Sequence, residues 1–513
     1  MKRAFGIETE YGITVDGLED LDVVRESIEI VRSYTEHGAS MKWDYQLEDP
    51  HQDARGFRAK ELLQDTDEAA YFEIDRNRPL SFEEIKSDLV LSNGARFYND
   101  HAHPEYSTPE CSTLAELVAQ DGAGERILNE CARRRNAKVP AGCEVRLYKN
   151  NTDFVGHSYG CHDNYLMRRD VPWDRIVREV VPFLVTRQVF AGSGKMGVEG
   201  EDSAGQPGLF QIAQRSDFFS VLCSIDTMNR RPLVNTRDEP HADNLRYRRF
   251  HVIIGDANMS QYATALKIGT TALVLDLIET GHAPALELAN PIDAVKAISR
   301  DQTHRWLVEL RDGRKISALD IQRLYLAAAH KHCDHSDPDV TWLLREWELV
   351  LADLESDFTL CRDRLDWVAK KYLLDAFQEA EGLDWSDPWL QSIDLEYHNL
   401  SLDHGLYYEL MRTGQMKRFV SEDAVRHAIF QPPETTRAFF RGRAVAKFNR
   451  EIASIQWDEL TFRHGAAEFR VELPHPVNDE RLARVNEVIR GAGGFAGFAE
   501  KLRAATAQGE MRR

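Results

Sequence analysis

The chain has 513 residues, with 84 acidic against 64 basic side chains and a formal net charge of −20 at pH 7. That length leaves room for a large core and roughly two to four domains. The acidic balance argues against a nucleic-acid partner, which needs positive surface against phosphates, and no run approaches the roughly 18 apolar residues of a membrane span.

The first predicted element is a strand, "AFGIETEYGITV", ending at Val15. Within it Glu8 and Glu10 stand two apart, and side chains two apart on a strand share a face. Two like charges aimed at one spot call for something positive between them. The same glutamates interrupt any apolar leader, so no signal peptide is expected.

A helix follows in "LDVVRESIEIVRSYTE", with Leu21, Val24, Ile28 and Val31 on one face. Residues 37–85 are charged and irregular and read as a long, mobile insertion loop. "SNG" then marks a turn and "ARFYND" a strand, before a helix beginning near "STLAELVAQ" with Ser112 or Thr113 as its cap. "EVRLYKNN" and "HDNYLMRR" read as strands, "WDRIVREVVPFLVTRQVF" as a helix, and "GLFQIAQRSDFFSV" and "RYRRFHVIIGDAN" again as strands. From "SQYATALKIGTTALVLDLIE" to about residue 425 helical patterns dominate.

"QPPETTR", 431–437, breaks the pattern. After it come two strand candidates, "ASIQWDELTF" and "AAEFRVELP", and a final helix. The expected division is a main domain over 1–430 and a small α+β domain over 431–513. The seven cysteines are scattered, odd in number and without a CxxC pair, which fits a reduced, cytoplasmic chain with neither disulfide framework nor zinc site.

Four strand-like segments carry polar pairs at a spacing of two: Glu8/Glu10, Tyr98/Asp100, His162/Asn164 and Arg249/His251. If the strands share one face of an antiparallel sheet, these groups converge into a polar floor. Carboxylates hold hard divalent cations, such cations bridge phosphate oxygens, and arginine neutralises phosphate charge. Alternating polar residues also mark a solvent face, so spacing alone leaves both readings open. Glu105 is a further carboxylate, and Ser107 and Thr108 can either donate to phosphate or cap the next helix. "AGSGKMG" fails as a phosphate loop, because the first glycine is missing at the required spacing and Met196 replaces Ser/Thr. Arg230, Arg231, Arg237, Arg246, Arg248 and Arg249 form a local basic cluster, and Arg215 is a similar candidate for an anion. Arg133, Arg134 and Arg135 could rim a groove or simply end a solvated helix.

The stretches "FGIETEYG", "NGARFYNDHAHPEYSTPEC", "HDNYL" and "YRRFHVIIGDANMS" resemble the Pup ligase/deamidase family, in the carboxylate-amine ligase superfamily with glutamine synthetase. The resemblance runs from residue 4 into the C-terminal domain. It implies an α+β fold, with a curved antiparallel sheet cradling ATP and Mg²⁺ and helices packed on its convex face. Carried over by motif, Glu8, Glu10, Tyr98, Glu105, His162 and His251 match metal positions, and Asp100 matches the catalytic aspartate. Gly6, Ile7, Glu8, Thr9, Glu10, Ser107, Thr108, Asn164 and Arg249 match nucleotide contacts, and Arg215 and Arg237 match arginines near the phosphate and the Pup C-terminus. Asp163 stands where Glu is expected, facing away from His162, and Gln261 stands where Glu is common.

The implied partners are Pup, the prokaryotic ubiquitin-like protein, and pupylated proteins, with the proteasomal ATPase machinery beyond them. The implied activity is ATP- and Mg²⁺-dependent hydrolysis at the side chain of Pup's last residue, which deamidates a C-terminal Gln or cuts the isopeptide bond to a substrate lysine. The alternative is the sister ligase, which forms that bond. The opening "GIETEYG" and the long segment 37–85 favour the hydrolase.

Overall fold

The computed structural model describes residues 3–18, 21–35, 38–62, 79–200, 208–227, 230–465 and 467–510. Its central element is a seven-stranded sheet built from β1 (Phe5–Glu10), β2 (Ala39–Ser40), β3 (Leu89–Leu91), β4 (Arg96–Asp100), β5 (His103–Ser107), β6 (Cys161–Arg168) and β7 (Tyr247–Val252). The spatial order is β7-β6-β1-β5-β4-β3-β2, and every neighbouring pair is antiparallel.

Period-two alternation decides which face each strand buries. On one face Phe5, Ile7, Tyr165, Met167, Phe250 and Val252 join a large apolar core with helices α4 (Trp173–Thr186) and α5 (Gln261–Thr280). Further along the same sheet, Leu89, Leu91, Phe97 and Tyr106 pack with residues of α1 (Val23–Arg32) and α3 (Leu114–Asn136). Asp163 faces that buried side, where its carboxylate pairs with Arg187 at 2.8 Å and Lys267 at 3.7 Å. Helix α3 starts at Thr113, whose hydroxyl accepts from Glu116 N in a reciprocal capping box. Ser107 and Thr108 therefore do not cap it.

The described parts of the insertion are tied down at three places. Trp43 bridges Ile455 in the C-terminal sheet, and backbone bonds run from Asp44 N to Ile455 O and from Ile455 N to Lys42 O. A short hairpin, Gln52–Asp53 with Phe57–Arg58, grips the segment around Arg237: Ala54 N donates to Thr236 O, Asp238 N to Gln52 O, and Thr236 Oγ1 to Asp53 Oδ2. The short helix α2 (Phe82–Lys86), closed by a Ser81/Glu84 capping box, lies against β4. The middle of the insertion, 63–78, lies outside the described residues.

The C-terminal part has its own apolar cluster. It combines helices α6 (Ala438–Phe448), α7 (Glu480–Arg490) and α8 (Phe495–Glu510) with a three-stranded antiparallel sheet, β8 (Ile452–Ile455), β9 (Glu459–His464) and β10 (Ala467–Glu472). Two sequence expectations change here: "ASIQWDELTF" is split into two paired strands, and the single final helix is two. "GLFQIAQRSDFFSV" also departs from a strand, with only Phe210–Gln211 and the beginning of Val221–Ser224 extended around a helical turn at Ser216–Phe218. Its backbone is held by scattered partners, Ile212 N by Ser299 O and Gln214 N and Arg215 N by Asp256, so the apolar run reflects enclosure and not sheet pairing. None of the seven cysteines forms a disulfide. Among the described residues no helix is long and apolar enough to cross a membrane.

Candidate active site

The open face of the sheet collects the polar pairs. Register places Glu8 between His162 on β6 and Ser107 on β5, Glu10 opposite Glu105, Glu105 opposite Tyr98, and Asn164 opposite His251. The pairs lie on β7, β6, β1 and β4, and β5 contributes Glu105 between the last two.

Two metal-competent groups result. One ligand atom from each of Glu8, His162 and His251 lies within 4.8 Å of the others, and the same holds for Glu10, Asp100 and Glu105. In the first group His162 Nδ1 is 3.5 Å from Glu8 Oε2, and the two imidazoles meet edge to face at 4.9 Å. His251 Nδ1 lies 2.9 Å from Asn164 Oδ1. An amide oxygen only accepts, so Nδ1 carries the proton and the Nε2 lone pair is left for a ligand bond. Burial and the Arg249 charge hold His251 well below the usual imidazole range, in the neutral form a metal needs. Burial raises the Glu8 pKa, but the His162 hydrogen bond and the Arg249 charge outweigh it, so Glu8 ends well below the usual range.

The second group is all oxygen, the donor set that suits Mg²⁺. Burial, followed by repulsion from Asp100, Glu8 and Glu10, pushes Glu105 well above the carboxylate range. The Tyr98 hydroxyl hydrogen-bonds Glu105 and stays protonated through burial and the nearby carboxylates. Asp100 ends β4 at the two-residue turn into β5, beside His101 in the left-handed region at φ 53°. Its Oδ1 is 2.5 Å from Lys86 Nζ, and its Oδ2 is 3.8 Å from His101 Nε2. Burial opposes ionisation of Asp100, but Lys86 and His101 overcome it and hold the carboxyl below its ordinary range. Gly160 closes over both groups: a Cβ there would fall 2.4 Å from His162 Nε2 and 2.6 Å from Glu10 Oε1.

Beside the carboxylates opens a cavity bordered on the sheet side by Gly6, Ile7, Glu8, Ser107, Thr108, Asn164 and Arg249. Its far wall is C-terminal, formed by Arg437, Trp457 and Pro476, with His241 and Glu110 alongside. None of these five stood out in the sequence, since each is a single residue on an irregular segment and only the folded chain brings them to β1. The exception could have been Glu110: two arginines a helical turn apart, Arg437 and Arg441, both bond its carboxylate.

Four expected contacts work indirectly. Ile7 and Thr9 turn their side chains to the helix-covered face, as strand alternation requires, although Ile7 still borders the cavity. Thr108 Oγ1 accepts from Ile7 N at 3.0 Å and so braces β1. Ser107 Oγ donates to Glu105 Oε1 at 3.4 Å.

Of the basic cluster, Arg249 reaches Glu8 Oε1 at 3.3 Å and Asn164 Oδ1 at 3.2 Å. Arg237 lies among the charges of Glu239, Arg249, Asp100 and Glu8. Arg237 Nε and Arg249 Nε are buried without an acceptor, a cost that a bound anion would remove. Arg215 is buried, with Nη1 on Ile253 O at 2.5 Å and Nε on Ser158 Oγ at 3.2 Å, and burial together with Arg231 lowers its pKa to about 10. Arg231, by contrast, donates to Ser158 O and Arg248 to Arg169 O. Arg133 and Arg134 bond Glu130 and Arg135 bonds Glu26, which makes that triplet structural. Lys195 of "AGSGKMG" is fully buried against Glu199 and Asp217, at 2.7 and 2.8 Å, and is structural too.

The chain is similar over nearly its whole length to characterised families. A depupylase of Acidothermus cellulolyticus is 44% identical over 518 residues, 99% of this chain and 98% of its own length. A Pup deamidase/depupylase of Mycobacterium tuberculosis is 44% identical over 477 residues, 91% of this chain and 92% of its own length. A Pup–protein ligase of Rhodococcus opacus is 43% identical over 412 residues, 78% of this chain and 90% of its own length. Among solved structures, the Pup ligase PafA in complex with Pup matches with a TM-score of 0.76 at 33% identity, covering 96% of this chain and 93% of that one. PafA in complex with ADP matches at 0.72 and 34%, covering 85% and 97%. The family model described as Pup-ligase protein spans residues 3–461, and this chain belongs to that family.

Proposed function

We propose that the chain is a Pup deamidase and depupylase, hydrolysing the side-chain amide of Pup's C-terminal glutamine and the isopeptide bond that joins Pup to substrate lysines. The observation that carries the choice of hydrolase is the span of the sequence alignments. Identity does not separate the two activities, at 44% and 43%, but the depupylases align over 91–99% of the chain and the ligase over 78%.

Nucleotide fits the cavity beside Arg249, Asn164 and Gly6, with its phosphates towards the unpaired guanidinium nitrogens of Arg249 and Arg237. Glu8, His162 and His251 would hold one divalent cation. Glu10 and Glu105, with the Tyr98 hydroxyl beside them, would hold an all-oxygen site suited to Mg²⁺. When bound with ATP, the divalent cations would supply the positive charge that completes the site and helps stabilise an oxyanion. Amide hydrolysis is downhill, so no net ATP consumption is needed.

Asp100 is the reacting carboxylate, either as general base for water or by direct attack to form an anhydride. Both routes need it ionised, which Lys86 and His101 favour. Its low basicity leaves positioning to supply much of the effect. Arg237 and Arg215 would receive the anionic C-terminus of Pup.

Incubation of Pup ending in Gln with the chain and Mg·ATP tests the reading. A gain of about one dalton, the mass change of amide to acid in this acyl-transfer chemistry, is expected; unchanged mass in the presence of nucleotide would contradict it.

A pH dependence follows from Glu105. Its raised pKa means that without a cation the group carries a proton where free glutamate is ionised, and charging it as pH rises costs stability. A cation takes the deprotonated form, so binding releases that proton. The rise in melting temperature caused by Mg²⁺ should therefore grow as pH climbs above the ordinary carboxylate range, and a pH-independent rise would speak against Glu105 as a ligand.

A further inference from the structure

The helix at the end of the insertion contacts the reacting carboxylate. Lys86, the last residue of α2, places Nζ 2.5 Å from Asp100 Oδ1, with both side chains mostly enclosed at 19% and 24% exposure. The lysine also lies over the Tyr98 ring, 5.6 Å from its centroid. The contact is held from the other face of β4 as well, where Asn99 Nδ2 donates to Ile85 O at 3.1 Å. One turn of helix is thus pinned to two successive residues of the strand end. Its own start is fixed by the Ser81/Glu84 capping box, and Ser87 leaves the helix in the left-handed region at φ 49°.

We propose that Lys86 is a positioning residue for Asp100: it occupies Oδ1, fixes the plane of the carboxylate, and leaves Oδ2 as the oxygen that reacts. The inference rests on the hydrolase reading above. Asp88 and Arg96 also act on the lysine, but Asp88 is engaged by Arg96 Nε at 2.7 Å, so Asp100 is the acceptor that Lys86 serves. Removing one partner of a mostly enclosed ion pair costs stability, but without a positioning role the folded enzyme would keep its wild-type kcat.

The test is steady-state cleavage of a purified Pup–protein conjugate under saturating Mg·ATP by wild type, Lys86→Met, Lys86→Gln and Lys86→Arg. The methionine and glutamine variants keep most of the stem and remove the charge. Their kcat should fall about 100-fold with KM within about 2-fold of wild type, the pattern of a misplaced reacting group. The arginine variant should recover most of the loss, and the nucleotide-induced rise in melting temperature should be the same in all four. Wild-type kcat in the methionine or glutamine variant would overturn the proposal. So would an arginine variant as impaired as they are, or a loss confined to KM. Absence of cleavage by the wild type would instead count against the hydrolase reading itself.

Discussion

Asp100→Asn should lower conjugate cleavage and Pup deamidation by about 10³-fold or more while leaving nucleotide binding nearly unchanged. The substitution keeps the size of the side chain and an acceptor oxygen for Lys86 Nζ, so the strand end and α2 stay in place. It removes the negative charge that either activates water or attacks the acyl carbon. The groups that border the cavity, Gly6, Asn164 and Arg249, and the Glu8, His162 and His251 cluster lie on β1, β6 and β7, with β5 between them and β4. A steady-state assay paired with nucleotide titration checks the split. Cleavage near the wild-type rate would remove Asp100 from the chemistry, and parallel loss of nucleotide binding would recast it as a cation ligand beside Glu10 and Glu105.

Glu110→Gln should cost about 3–5 kcal/mol of stability, the range for breaking a buried ion pair by removing one partner. The Glu110 carboxylate receives Arg437 Nε at 2.7 Å and Arg441 Nη1 at 3.1 Å and Nη2 at 2.5 Å. Arg441 is fully buried and also donates to Gly94 O and Trp457 O. Glu110 therefore ties the end of β5 to the first helix of the C-terminal part. Burial raises its pKa, but Arg441 and Arg437 more than reverse this, and it falls from 4.5 to about 2. Because the folded value is the lower one, the pair contributes its stability above the unfolded pKa. That contribution is lost as pH falls from about 4.5 to about 2 and amounts to about 3 kcal/mol. The wild type should lose stability across that window and the glutamine variant should not lose this component. Melting temperatures measured through the window decide it; a variant that melts with the wild type throughout would show the pair to be dispensable. Since Glu110 and Arg437 also border the cavity, nucleotide binding should weaken in the same variant.

The floor of the site was legible because strands have an invariant period of two. Glu8/Glu10, Tyr98/Asp100, His162/Asn164 and Arg249/His251 each declare a shared face locally, and the antiparallel order β7-β6-β1-β5-β4 makes those faces one. What the spacing does not contain is which strand neighbours which, and so it could not choose between a solvent face and a converging one. The walls were less legible. Lys86, Glu110, His241, Arg437 and Trp457 act through contacts between distant segments, and none sits in a periodic pattern that marks it. The insertion shows the same limit. Its charge and irregularity suggest a loop, yet Trp43, the Gln52–Arg58 hairpin and α2 fasten its described parts to the C-terminal sheet, the Arg237 segment and Asp100. The split of "ASIQWDELTF" has a local cause as well: Gln456 N bonds Glu459 O and closes a turn that the apolar pattern runs through.

The most direct test is the fate of a purified Pup–protein conjugate incubated with the chain and Mg·ATP. The account predicts release of free Pup ending in glutamate together with the unmodified protein lysine. A conjugate that persists, while Pup ending in glutamate is joined to an added acceptor protein with ATP turnover, would contradict it and establish the chain as a ligase.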